Sequence, residues 1–187
     1  MKYPEILLLP ILMFSDYLLT VLGATQKERK YSEHFKTQHY ELNPIWQKAI
    51  SQKKWLNPRH SLLTILLSGI LACLLELGVL PEPFVQGLLG CLFVFFGMAI
   101  GRHLSNILIF RRFAQCPEGI SGQITMTHSL SLSISMYQYL VAAVPLAILA
   151  FFNPTPFVFG GLAGAGMIFM VHSIWIHRHQ KKAPGNT

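Results

Sequence analysis

Asp16, Thr20, Arg102, His103, Asn106, His128, Ser131, Ser135, Gln138 and His172 are residues of kinds that hold ions or exchange protons, and all interrupt otherwise apolar stretches. A carboxylate supplies a fixed charge, and imidazole titrates near neutrality, where an opposite charge holds it. Asp16 is the only aspartate in the chain. With Thr20 and Gly23 it follows i, i+4, i+7, one face of a helix. It is either buried among helices as a functional group or placed in the interfacial zone near a helix end. Arg102, His103 and Asn106 fall in the last third of a long apolar run that ends at the basic pair Arg111 and Arg112. His128, Ser131, Ser135 and Gln138 form a 3, 4, 3 seam that continues to Ala142. The leading chemistry for such a set is binding or passage of a small ion or proton. Two histidines at one depth, drawn from His103, His128 and His172, would alternatively ligate a b-type haem or a metal. No cofactor leads among these readings.

Positioning such groups requires helices that lipid surrounds. The chain has 187 residues, 52% of them hydrophobic and 12% charged, against about 25% charged in a soluble domain, and its mean hydropathy is +0.43. Several runs reach the ~20 residues that cross a ~30 Å hydrocarbon core. The expectation is an all-α integral membrane bundle of five helices, at about 5–24, 61–80, 84–110, 123–151 and 157–176, forming one domain over 1–177 with a disordered basic tail over 178–187. Leu22 occupies the position where a signal-peptidase site wants a small residue, so the first helix reads as retained. In the fourth run, hydroxyls at Thr125, Thr127, Ser129, Ser131, Ser133 and Ser135 alternate as in a strand. An isolated strand cannot satisfy its backbone in lipid, so this stretch reads as helix. Pro145 would kink it.

Small residues mark where helices touch. Gly90, Val94, Gly97 and Gly101 share a stripe on the third helix, and Gly160 with Gly164 and Gly161 with Ala165 make small-xxx-small pairs on the fifth. Such faces also suit a homo-oligomer. The connection from Gln26 to His60 is basic. Within it Asn43 caps a helix whose first position is Pro44, and Ile45, Trp46, Ala49, Ile50 and Leu56 gather on one side. This reads as a short interfacial helix on anionic headgroups.

Asp16 and Thr20, followed by Glu41-Leu42-Asn43-Pro44, resemble the pattern of a family of small, uncharacterised prokaryotic multi-pass membrane proteins with an aspartate and threonine late in the first helix and a Glu-x-Asn-Pro soon after. The resemblance covers about a quarter of the chain, and here a long basic insertion separates the two motifs. It implies a membrane bundle, makes Glu41 and Asn43 secondary site candidates, and carries no known activity.

Charge placement orients the bundle. Thirteen of the fifteen Lys and Arg residues fall on one side of a five-helix chain, with Lys2 on the other and Arg102 within the membrane. The positive-inside rule puts that side in the cytoplasm and the N-terminus outside, in a prokaryotic plasma membrane. Counted along the helices, Asp16, His103, His128 and His172 lie roughly 6 to 12 Å inside the cytoplasmic boundary at ~1.5 Å per residue. They either line a cytoplasm-facing pocket or satisfy one another as inter-helix glue at ~1 kcal/mol each.

Several classes are excluded. The chain has no HExxH, no second aspartate for a dyad and no Gly-x-Ser-x-Gly elbow, and no motif of a nucleic-acid binder. Cys73, Cys91 and Cys116 lack a paired spacing. A non-enzymatic role therefore leads. The enzyme class that stays open is an intramembrane transferase acting on lipid headgroups, with Glu41 or Asp16 as base and Arg102 on phosphate.

Overall fold

Five helices follow the five hydropathy runs. In the computed structural model, which describes residues 2–29, 31–37, 40–119 and 121–182, α1 (Leu8–Lys27) follows a 3₁₀ turn at Pro4–Leu7; then come α4 (Pro58–Glu76), α5 (Glu82–Gln115), α6 (His128–Phe152) and α7 (Pro156–Lys182). All five are long and apolar enough to cross a membrane, and the protein is a multi-pass membrane bundle. Between α1 and α4 lie α2 (Tyr31–His34), the strand β1 (Phe35–Thr37) and α3 (Gln47–Ser51); β2 (Ile124–Met126) precedes α6.

Local sequence explains the boundaries. The Asn57 side chain accepts from the amides of Arg59 and His60, and Pro58 opens α4 at the position where its missing N–H costs nothing. Thr127 caps α6 by accepting from the Leu130 amide. At the other end of α4, Gly78 takes φ +65°, the left-handed conformation that lets the chain leave a helix. The 34 residues of α5 make about 51 Å at ~1.5 Å per residue, more than the hydrocarbon core requires. At its last turns Tyr31 and Phe35 pack on Phe110 and Phe113.

Besides shifts of a few residues at the ends of α1, α4 and α5, three boundaries differ from the sequence expectation. The fourth helix begins at His128 and not near 123, because Ile124–Met126 pair in parallel with Phe35–Thr37. The alternation of hydroxyls was thus a strand signal at its first members only. The fifth helix runs on to Lys182, beyond the expected end at 176 and into the stretch read as a tail; 183–187 lie outside the described residues. The helix expected after Asn43 is divided. Asn43 accepts from the Ile45 amide, but the helical stretch spans only Gln47–Ser51 and ends where Lys53 takes φ 51°. Ile50 is buried against α1, whereas Ile45 and Leu56 are exposed.

Two apolar clusters hold the bundle. One joins Ile6, Leu9 and Met13 to Leu71, Leu75, Val85 and Leu89; the other joins Tyr17, Val21 and Ala24 to Ile50, with Tyr40 and Trp46 against them. α5 and α7 form the most extensive helix pair, and α4 leans on α1.

Candidate functional site

Arg102 and His103 are adjacent in α5, and ~100° per residue sends their side chains to different neighbours. His103 turns to α1. Thr20 has one hydroxyl proton, which it donates to the Asp16 carbonyl at 2.7 Å. The 3.0 Å contact between Thr20 Oγ1 and His103 Nε2 must then be donated by the imidazole. That same Nε2–H lies 3.5 Å from Asp16 Oδ1. On the other side of the ring, Nδ1 is the acceptor, and the Tyr40 hydroxyl stands 3.4 Å away as its donor. Burial pushes the Tyr40 phenol up to about 12, against the opposing pull of the Arg102 charge, so it keeps the proton it donates.

Arg102 turns to α6 instead. Its Nη1 donates to Ser135 Oγ, and its guanidinium carbon sits 5.4 Å from the centre of the Tyr139 ring, a cation–π contact. His172 Nδ1 lies 2.9 Å from the Ile168 carbonyl, which can only accept. Nε2 is therefore the lone-pair side and accepts from Ser135 at 3.1 Å. The two histidines carry their protons on opposite nitrogens. Both are deeply placed, with His103 5% and His172 7% exposed.

Residues 40–43 return from the loop between α1 and α4 to close this end of the bundle. Tyr40 reaches its place because α1 has a glycine opposite it: a Cβ on Gly23 would fall on the Tyr40 hydroxyl. Glu41 follows, accepting from the Asn43 amide at 2.6 Å. Burial raises the Glu41 carboxyl above the usual carboxylate range, offset in part by the Asn43 amide and the Arg102 charge.

Together these elements enclose a cavity of about 330 Å³. One wall carries Asp16, Thr20, Glu41, Asn43, Arg102, His103 and His172, and the other is apolar, with Met13, Leu63, Leu67, Phe96 and Ile168. Asp16 Oδ1 is enclosed and has no hydrogen-bond donor among the described residues. Asn106, Ser131, Ser135 and Gln138 line a separate cavity, and Arg102 stands on the wall of both. His128 lines neither. It was expected about five residues inside its helix, but the strand β2 shifts the helix start, and His128 is the first residue of α6.

Sequence reasoning missed Tyr40, Tyr139 and His60. Tyr139 lies one turn beyond Ser135, so the seam that marked Ser135 would have marked it too. His60 packs among Phe14, Tyr17 and Trp46, with ring centroids 6.0, 4.5 and 5.2 Å away; nothing in the sequence points to this, because the three rings come from distant segments. Among the described residues, no three His, Cys, Asp or Glu side chains are grouped to hold a metal ion. The ring nitrogens of His103 and His172 are already engaged by Thr20, Tyr40, Ser135 and Ile168, an arrangement that does not fit axial ligation of a haem. No protein-family model, no curated protein and no solved structure matches the chain.

Proposed function

We propose that this multi-pass membrane protein takes up a proton or a small cation in the cavity between α1, α4, α5 and α7, open to the cytoplasm, and passes it across the membrane. The observation that carries the reading is Asp16: its Oδ1 is enclosed, lacks a hydrogen-bond donor and faces His103 Nε2 at 3.5 Å. A buried acceptor without a donor is costly, and a proton or cation supplies the missing partner.

For a proton, the Tyr40–His103–Asp16 line is a relay. Tyr40 passes its hydroxyl proton to His103 Nδ1 as its oxygen accepts another from the loop side. The His103 Nε2–H swings from Thr20 to Asp16 and is released there. The bonds balance: Tyr40 is regenerated, His103 has moved its proton from Nε2 to Nδ1, and Asp16 is neutral. Reconstituted vesicles with a trapped pH dye test this. Wild type should collapse an imposed gradient and Asp16→Asn should not; equal rates, or no flux through wild type, would overturn it.

Orientation follows from charge placement, with Gln26–His60 in the cytoplasm and the N-terminus outside. The exposed Ile45, Trp55 and Leu56, beside Lys48, Lys53 and Lys54, then suit contact with anionic headgroups. In a variant lacking the native cysteines, an impermeant thiol reagent should label cysteines at positions 82 and 153 in intact cells and one at position 32 only after lysis. Labelling of position 32 in intact cells would invert the bundle.

A second reading is favoured by one observation: the two carboxylates Asp16 and Glu41 line the same cavity, opposite an apolar wall. That arrangement suits a transferase holding a lipid chain against the apolar side with its headgroup at the acids. Lipid co-purifying with wild type and lost from Glu41→Gln would favour this reading over the relay, which predicts no dependence of bound lipid on Glu41.

A further inference from the structure

The second cavity, about 340 Å³, has the opposite electrostatic character to the first. Its charged lining residues are Lys27 and Arg102, and no carboxylate shares its wall. Asn106, Ser131, Ser135 and Gln138 add amides and hydroxyls. The strands β1 and β2 roof it, with their last paired residues, Thr37 and Met126, in the lining. Arg102 uses Nη1 on Ser135, yet its Nε is buried and has no acceptor among the described residues. Arg102 also lines the first cavity with Asp16 and Glu41, but it makes no ion pair with either among the described residues. A guanidinium with an unused edge calls for an anion, and its fork matches the oxygens of phosphate.

Access is lateral. α5 and α6 make few contacts with each other compared with the packing of either on α7. A Cβ built on Gly97 or Gly101 would meet nothing within 4 Å, and Gln138 on α6 is exposed. The gap between these helices leads from the bilayer side to Arg102.

We propose that this second cavity binds a phosphate-bearing anion through Arg102 and Lys27, with Gln138 at its entrance. The phosphate comes either from a lipid headgroup entering between α5 and α6 or from free phosphate. The inference does not depend on the relay, since Lys27 and Gln138 line this cavity and not the first.

The full-length protein is purified in an uncharged detergent. Retention of phosphatidic acid is read by native mass spectrometry, and binding of inorganic phosphate by titration calorimetry. Wild type should bind at least one of the two. Lys27→Gln should weaken that binding about tenfold, the size of one charge-assisted hydrogen bond, and Lys27→Arg should restore most of it. Gln138→Leu lies on an exposed helix face and should weaken retention by a smaller factor, so the proposal remains testable if Lys27→Gln does not fold. Retention of phosphatidic acid without phosphate binding assigns the lipid source, and phosphate binding alone assigns the free ion. Binding of neither, or equal binding by wild type and both Lys27→Gln and Gln138→Leu, would overturn the proposal.

Discussion

The two halves of α5 meet their neighbours in opposite ways. Near its start the helix lies against α7 backbone to backbone: a Cβ on Gly90 would fall on the Phe157 carbonyl, one on Gly160 on the Gly87 carbonyl, and one on Gly164 on the Cys91 carbonyl. From Arg102 onward, long polar side chains hold the neighbours away and leave cavities between them. The glycine stripe runs through both halves, since Gly97 and Gly101 continue it, yet these two face open space. Glycine permits close approach without causing it. The contact forms where the opposing helix presents bare backbone, as α7 does at Gly160 and Gly164 and at the Phe157 carbonyl in its first turn.

The sharpest way to break this contrast is Gly160→Leu, which drives a branched side chain into the Gly87 backbone. Neither backbone can yield as a flexible side chain would, so the variant should lose about 3 kcal/mol and its sharp size-exclusion peak. A folded, equally stable variant would mean that the two helices are not in contact. On the polar half, Tyr40→Phe leaves His103 Nδ1 enclosed without a donor at a cost of about 2 kcal/mol. Thermal unfolding followed by tryptophan fluorescence reads that loss, and an unchanged midpoint would remove Tyr40 from the network.

A subtler probe is the slope of stability with pH. Burial raises the Glu41 carboxyl above its usual 4.5, so folding binds a proton that the unfolded chain releases more readily. The stability tied to this group is complete below 4.5 and is lost as pH rises through the folded value. Glu41→Gln should flatten that decline and leave the variant more stable than wild type at neutral pH. Parallel pH curves for the two proteins would show that Glu41 stays solvated. The smallest effect belongs to Gly97→Ala, which meets no neighbour and should stay within about 0.5 kcal/mol of wild type; a larger loss would place an unseen surface against this part of α5.

The spans were legible because hydropathy is summed over some twenty residues and tolerates local error. The adjacent Arg102 and His103, and the face shared by Asp16, Thr20 and Gly23, were legible because helical geometry fixes them from spacing alone. What escaped depended on distant pairing. The three residues of β1 carry no strand signal of their own, and the hydroxyl alternation that begins in β2 reads as helix because an isolated strand cannot satisfy its backbone in lipid. Without that pairing the start of α6, and hence the position of His128, is misplaced. The return of Tyr40 and Glu41 into the bundle was illegible for a related reason. It rests on one missing Cβ at Gly23, and the sequence marks that glycine only as part of a helix face.

The β1–β2 pair also sets an order of events. β1 leaves the ribosome before α3, α4 and α5 exist, whereas β2 follows all three, so the first strand waits unpaired while half of the bundle is inserted. Until β2 arrives, the segment bearing Tyr40 and Glu41 is held by its packing on α1 and on His103 of α5, without the strand pairing that precedes it in the chain. The strand pair that borders Arg102 is thus completed only after the helices that carry Asp16, Arg102 and His103 have been made, and before α6 and α7.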